Sequence, residues 1–453
     1  MLERKKKVLP YWKKVFDAVK VFKDQELLSR GNADASQRHC EYYHTMYCLV
    51  EDEIQKSVDS NWRAGGKHQR VKYKSFGNPC ILVHRYECEV DSQWIVQIQQ
   101  QCRILVRNRW TLKLEKVLEI PLTEINMNGR DRDFELTRVK INSNFITASF
   151  SVHPEICVWD AKSHELLRVL KPVPEQGNGR RSVYVKGHCL WNDLLLSCYQ
   201  RVSDESECIV TLRRIPLNGD GDVTLLYYQK VLPSPRFFLE VAMDDDYIVL
   251  FFSRDEQRLY MPSMAETFEI EIRSAVSYDV VHKISIPTSS PFEDYQFHYL
   301  NGFIVMGQTE DNFFSIWRAA VGRCVKTICH GDQGLCAIRI ISEKFIVTCD
   351  DDGVLKIWDF QAALIHPEPS SSNFLIRKIS HLNAVSRSAS AKPSAVSSKV
   401  KRIDARKKTP RVPPIEYVGT TCMVADELQM ILVFHSDDGS SYLHVETFLN
   451  AAQ

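Results

Sequence analysis

The chain has 453 residues, 44% hydrophobic and 25% charged, and its 58 Lys and Arg nearly balance 57 Asp and Glu for a formal net charge of +1. That composition fits a globular chain with room for one large repeat domain and a small one, and its charge gives no reason to expect nucleic acid as a partner. No segment approaches the roughly 20 apolar residues a membrane span needs, and the basic start Met1 to Lys7 has no apolar run behind it, so neither a membrane nor a secretory signal is expected and the location is read as cytoplasm, nucleus or both.

The first 66 residues carry helical periodicity. Trp12, Val15, Phe16, Val19 and Phe22 recur at helical spacing with Lys13, Lys14, Asp17, Lys20 and Lys23 between them, and Tyr43, Tyr47, Val50, Ile54 and Val58 give a second amphipathic helix. Cys40, His44 and Cys48 share one face of that second helix. Structural zinc needs a fourth ligand and usually a second chain segment, so no metal site and no cofactor are expected. The helices run into Asn61-Trp62-Arg63-Ala64-Gly65.

From residue 67 to 449 the pattern changes to short apolar runs separated by turns. In chain order these are Trp94 to Ile98 with Cys102 to Val106; Phe145 to Ala148 with Ile156 to Asp160 and Leu166 to Leu170; Leu194 to Ser197 with Ile209 to Leu212; Tyr247 to Phe252 with Thr267 to Ile272. Then come Phe303 to Met306 with Phe314 to Trp317, Phe345 to Cys349 with Val354 to Trp358, and Met430 to Phe434 with Tyr442 to Val445. Within Val354 to Trp358 the alternation predicts one buried and one solvated face, and Asp352-Gly353 supplies a tight hairpin turn. A hairpin cannot bury its face alone, so such repeats predict copies stacked round a ring. Residues 67 to 449, less a 34-residue insert, leave about 50 residues for each of seven repeats, against a usual period of about 40 to 45. Seven blades fit this spacing, with six and eight as the neighbouring counts and a β-sandwich or two unrelated β domains as the alternative architecture.

Trp159-Asp160 and Trp358-Asp359 close their strands in the way of a WD40 repeat, and Trp317-Arg318 repeats the position with Arg in place of Asp. The chain therefore resembles a WD40 β-propeller. In that family a Trp on the third strand bonds a Ser or Thr on the second, a His at the start of the repeat and an Asp in the turn. The resemblance assigns Trp358, Thr348, His330 and Asp352 to those places, with Gly-His reversed as His330-Gly331. Asn61-Trp62-Arg63-Ala64-Gly65 further resembles the junction between linker helices and propeller in F-box/WD-repeat proteins, and Trp12 to Phe16 resembles the end of an F-box. The implied box is degenerate or incomplete, because Leu9-Pro10 lies only two residues before Trp12. The resemblance implies the substrate-recognition subunit of an SCF-type cullin-RING ubiquitin ligase, with Trp12, Val15, Phe16 and Val19 toward the adaptor and the propeller toward a target protein. The alternative is a WD40 scaffold or adaptor with no ubiquitin role.

Binding residues cluster on loops held by a rigid scaffold. The loops from each outermost strand to the next innermost strand are read as holding Arg130 and Arg132, Arg180 and Arg181, and Arg236. A face so built is basic, and its expected partner is an acidic or phosphorylated protein segment, since Arg pairs bidentately with carboxylate and phosphate. The insert from 381 to 414 leaves from the same kind of loop with nine Lys and Arg against Asp404. Its composition predicts disorder. A solvated loop, a nuclear-localisation or phospho-regulated segment around Lys399 to Arg411, and an acidic-partner contact are the readings for it.

No enzyme is expected. The chain lacks a phosphate-binding Gly-Lys loop, a Gly-x-Ser-x-Gly elbow and a His-Glu-x-x-His pair, and Asp350-Asp351-Asp352-Gly353 lacks the ligand spacing of a calcium loop. The 14 cysteines are scattered singly and read as small buried hydrophobes.

Overall fold

A computed structural model of the chain describes residues 55–56, 58–63, 67–74, 88–99, 103–120, 136–150, 153–173, 183–201, 208–217, 221–231, 236–254, 266–288, 295–308, 312–331, 334–350, 354–366, 374–379, 417–426, 429–436 and 440–448. Its strands form seven four-stranded antiparallel sheets, each a meander of strands consecutive in the chain except where the ring closes. Blade 1 is β2 (Cys88–Val90), β3 (Trp94–Gln99), β4 (Arg103–Asn108) and β5 (Leu114–Glu119). Blade 2 is β6 (Leu136–Ile141), β7 (Phe145–Phe150), β8 (Ile156–Asp160) and β9 (Leu166–Leu170), and blade 3 is β10 (Val183–Trp191), β11 (Leu194–Arg201), β12 (Cys208–Arg214) and β13 (Thr224–Val231). Blade 4 comprises β14 (Arg236–Met243), β15 (Tyr247–Arg254), β16 (Glu266–Ser274) and β17 (Val280–Thr288); blade 5 comprises β18 (Tyr295–Leu300), β19 (Phe303–Gln308), β20 (Phe313–Arg318) and β21 (Arg323–Cys329). Blade 6 has β22 (Leu335–Ile340), β23 (Phe345–Asp350), β24 (Leu355–Asp359) and β25 (Leu375–Ile379), with a short helix, α2 (Phe360–Ile365), after β24.

Blade 7 closes the ring. Its β26 (Tyr417–Ala425), β27 (Gln429–Ser436) and β28 (Ser440–Thr447) are completed by β1 (Lys67–Lys74), which pairs antiparallel with β28 from Lys67 opposite Thr447 to Lys74 opposite Ser440. The first strand of the described chain thus becomes the outermost strand of the last blade.

Strand parity explains how the ring packs. Successive side chains of a strand point to opposite faces, and in a propeller both faces of a blade meet a neighbour. In β15, Ile248, Leu250 and Phe252 pack with Leu196 and Val210 of blade 3, while Val249 and Phe251 pack with Ile304 and Met306 of blade 5. In β23, Ile346 packs with Val305 and Phe314 of blade 5, while Phe345, Val347 and Cys349 pack with Met430 and Leu432 of blade 7. Blade 7 meets blade 1 through Ile431 and Leu443 against Cys88 and Ile95. Fully burying each such side chain contributes about 1.5–3 kcal/mol, so these seams carry most of the stabilisation.

This packing corrects one expectation. The segment Val354 to Trp358 does not have a solvated face: Leu355, Lys356, Ile357 and Trp358 of β24 are all buried, as are all six residues of β23. Lys356 is accommodated by an ion pair with the equally buried Asp350, 3.1 Å away, and by donating to the His330 carbonyl oxygen at 3.0 Å. The solvated alternation belongs to outermost strands such as β21, whose buried residues are Lys326 and Ile328.

The segment 1–66, expected to be helical, lies outside the described residues except near its end, where 55–56 are helical and residues 58–63 form a helical turn, α1. No helix among the described residues is long and apolar enough to cross a membrane.

Candidate protein-binding face

The two ends of the ring are built differently. At one end, the first and second strands of the blades join by short turns, as do the third and fourth strands of blades 1, 2, 4 and 5, and several of these turns cap themselves; in blade 6 the helix α2 follows the third strand instead. Asp91, Asn142 and Asp244 each accept the backbone N–H groups two and three residues on, at 2.7–3.0 Å, before β3, β7 and β15. Asn108 and Asp160 do the same after β4 and β8. These are Asx turns, in which a short side chain substitutes for a backbone acceptor. The Asp of Trp159-Asp160 is therefore a turn cap, and the Asp of Trp358-Asp359 caps α2 by accepting from Ala362 N at 2.9 Å. The turns after β4, β8 and β16 need a left-handed residue, taken by Leu112, His164 and Tyr278. After β20, where Arg318 replaces the capping Asp, the left-handed place falls to Gly322 at φ 59°, which has no Cβ to oppose it.

Polar clamps tie the same end across blade seams. Arg109, 1% exposed, holds both oxygens of Asp426 through its guanidinium and donates to Gln429 Oε1 and the Asp91 carbonyl oxygen, joining blade 1 to blade 7. Trp191 Nε1 donates to Asp245 Oδ1 between blades 3 and 4, and Asp244 accepts from Tyr299 Oη and Gly302 N between blades 4 and 5. The end of α1 docks here as well. Trp62 is wholly buried, stacked on Phe448 at 3.6 Å between centroids and near Phe345 at 5.8 Å. Asn61 donates to the Phe448 carbonyl oxygen, Arg63 pairs with Asp359 at 3.1 Å, and Asp59 pairs with Lys344 at 2.6 Å. Asn61, Trp62 and Arg63 thus belong to the helical turn itself and fasten it to blades 6 and 7.

At the opposite end lie the connections from each outermost strand to the next blade, several of them long: 75–87, 120–135, 171–182 and 380–416. Arg130, Arg132, Arg180 and Arg181 fall in two of these connections and lie outside the described residues, as do the insert 381–414 and Trp12, Val15, Phe16 and Val19. Arg236 is a strand residue rather than a loop residue. It opens β14, opposite Arg254 of β15, at this same end of its blade.

The WD40-type positions fare differently from blade to blade. Trp358 Nε1 donates to Thr348 Oγ1 at 2.9 Å, both groups being buried, and the His330 ring lies 6.1 Å from the Trp358 ring. Asp352 lies outside the described residues; the turn there is held by Asp350, whose Oδ1 accepts from Val354 N at 2.7 Å. Trp358 pairs with Ile346, two residues before Thr348. In blade 2 Trp159 pairs with Ile146, which places Ala148 in the acceptor position, and in blade 5 Trp317 pairs with Ile304, which places Met306 there. Neither offers a hydroxyl.

The innermost strands bring charge to the centre of the ring. Arg138 of β6 reaches past blade 3 to pair with Glu240 of β14, and Lys140 of β6 pairs with Glu89 of β2 at 3.0 Å. His298 Nδ1 accepts from Ile340 N at 3.2 Å; burial first, then the charges of Arg339 and Lys140, push its pKa well below the usual histidine value. His188, bonded through Nε2 to Thr147 Oγ1 at 3.1 Å, is pushed down by burial, Lys140 and Arg138. Both rings are neutral at physiological pH. Of the cysteines expected in the interior, Cys157, Cys198 and Cys349 are fully buried, and burial pushes the Cys198 thiol pKa up, but Cys324 and Cys329 at the two ends of the outermost strand β21 are exposed, against that expectation.

No protein-family model matches the chain, and no curated protein sequence does. Among solved structures it is similar to the computationally designed Ika8 protein, at 12% identity and TM-score 0.41 over 82% of this chain and 98% of that one. It is also similar to Kluyvelomyces marxianus Hsv2, at 9% identity and TM-score 0.44 over 77% and 88%, and to KlHsv2 with loop 6CD replaced by a Gly-Ser linker, at 9% and 0.43 over 80% and 96%. These likenesses are too distant to carry an argument of their own. The strand order itself makes the chain a seven-bladed β-propeller, a fold that suits a protein-interaction scaffold.

Proposed function

We propose that this chain is the substrate-recognition subunit of a cullin-RING ubiquitin ligase, its N-terminal helices docking on the adaptor and its long-connection face holding the target. Such a subunit catalyses nothing itself. It raises the effective concentration of the target near the ligase. The observation that supports the reading most is the seat of Trp62: Asn61-Trp62-Arg63 fastens the incoming helix rigidly to the tight-turn end, opposite the long connections. A receptor needs that separation, because adaptor and target must be held at once without competing.

The target segment in this reading is acidic or phosphorylated and is gripped by Arg130, Arg132, Arg180, Arg181 and Arg236. The test is affinity capture of the full chain from cell extract, probed for the cullin and its adaptor, beside a Trp12→Ala, Phe16→Ala double variant. Capture by the unaltered chain and its loss in the variant is the expected result. Capture by neither overturns the ligase role and leaves a propeller scaffold, the second reading.

A further inference from the structure

The seven innermost strands line the centre of the ring, and their charges do not balance. They carry Arg138, Lys140, Lys186, Arg236 and Arg339 against two acids, Glu89 and Glu240, although the whole chain stands at +1. Both acids are already taken, Glu240 by Arg138 and Glu89 by Lys140 at 3.0 Å. Arg339 is left without a carboxylate among the described residues, and its Nη1 donates to the neighbouring Ile338 carbonyl oxygen at 3.2 Å.

Three of the central side chains share one level. Lys140 and Arg339 are each the fifth of six residues in β6 and β22, and His298 is the fourth of six in β18. All three are partly exposed, as is Glu89, so water reaches the centre at this level. In a ring of seven, blade 2 stands across the centre from blades 5 and 6, which sets Lys140 on the far side from Arg339 and His298. His298 adds a fixed donor. Its Nδ1 accepts from Ile340 N at 3.2 Å, which puts the ring proton on Nε2, and nothing among the described residues accepts from that N–H. Burial and the charges of Arg339 and Lys140 keep the ring neutral, so it donates without adding charge.

An oxyanion answers these groups. Arg pairs bidentately with phosphate, and donors arriving from opposite sides of a channel suit a tetrahedral anion, whose oxygens point in four directions, better than a planar carboxylate. At about 3.4 Å per residue, the level lies about 10 Å or more below the strand ends at the long-connection face. That is deeper than the side chain of a peptide laid across the face reaches, and it favours a free anion over a phosphorylated segment.

We propose that the centre of the ring binds a free phosphate-type anion, with Arg339 forked on two of its oxygens, His298 Nε2–H donating to a third, and Lys140 supplying charge from blade 2. The site does not rest on the ligase reading and stands or falls on its own measurement.

The test is isothermal titration calorimetry of the full chain with inorganic phosphate at pH 7.5 and constant ionic strength. One saturable site is expected in the unaltered chain. Arg339→Gln weakens it about 10-fold or more, and Arg339→Lys, which keeps the charge without the fork, weakens it less. Arg103→Gln removes the same charge from an exposed position on blade 1 and leaves the affinity unchanged. Because Arg339→Gln breaks no ion pair, its melting temperature in chloride stays within about 2 °C of the unaltered chain, which verifies the fold. Absence of a saturable heat, or equal affinity in Arg339→Gln and Arg103→Gln, would overturn the proposal. So would a phosphoserine peptide that binds more tightly than phosphate through Arg339, since the group would then belong to a target segment. Stabilisation by phosphate that is equal in all variants is salt exclusion and counts against the site as well.

Discussion

At the scale of single residues, the Trp-Asp signature divides into two jobs that the dipeptide by itself does not separate. The Asp caps the turn that follows its strand, whereas the Trp bonds a hydroxyl only where strand register supplies one, as Thr348 does for Trp358. Replacing Thr348 by Val keeps the shape and removes the acceptor, leaving the indole N–H buried and unpaired. Chemical denaturation is expected to find about 1–3 kcal/mol of lost stability. The bond could be named beforehand only through the WD40 resemblance, which assigned Thr348 and Trp358 to those places. That Ala148 and Met306 occupy the matching places opposite Trp159 and Trp317 became visible only with the register.

The two neutral histidines near the ring centre set a pH dependence with a definite sign. His188 and His298 have folded pKa values below the ordinary value of about 6.5, which the unfolded chain keeps. The unfolded state therefore binds more protons as pH falls through about 6.5, and stability is lost on the acid side while it is fully present above that pH. The groups facing them, Arg138, Lys140 and Arg339, stay charged throughout and oppose protonation. Melting temperature measured from pH 7.5 to 5 should fall, and a His188→Gln, His298→Gln double variant should flatten the profile. An unchanged slope would assign the acid sensitivity to carboxylates instead.

At the scale of elements, α1 is held by one large side chain. Trp62 fills a space between Phe345 and Phe448 and belongs to the same core as Val347, Leu355 and Met430. Trp62→Ala should cost about 3–5 kcal/mol by removing that volume, and hydrogen exchange of residues 58–63 should rise to the level of a released segment. If exchange there stays slow, Arg63–Asp359 and Asp59–Lys344 suffice to hold the turn. The second and third strands of every blade were legible as apolar runs, because they are mostly buried between neighbouring blades, as all six residues of β23 and of β7 are. Most innermost strands were not. They mix charge with apolar residues, as in Leu136 to Ile141, and bulges at Leu136/Arg138, Val185/Gly187, Phe238/Glu240 and Leu335/Ala337 break their two-residue period. The role of residues 67–74 as the outer strand of blade 7 was hidden for a different reason: its partner lies some 370 residues away, at 440–447.

At the scale of the whole molecule, the ring has a fastened end and an end of long connections. Asx-capped turns, the Arg109 clamp and the Trp62 seat all lie at the first end, where the chain has little freedom to adapt. The second end has the connection lengths with which propellers accommodate partners, and the basic residues singled out from the sequence fall in those connections or at their edge. Its loop residues carry no periodicity to read, so from the sequence only their charge marked this end. The seven-fold repeat was legible because blade spacing is regular once the insert 381–414 is set aside.

The central claim is that a partner protein is held at the long-connection end. The measurement that tests it most directly is site-specific photo-cross-linking in cells, with the photoreactive residue placed in the full chain at Arg130 or Arg181, and in parallel at Lys162 or Val276 in tight turns of the opposite end. The account predicts a common partner adduct from the first two positions and none of that mass from the second two. Adducts formed only from Lys162 and Val276, or equally from all four, would contradict it.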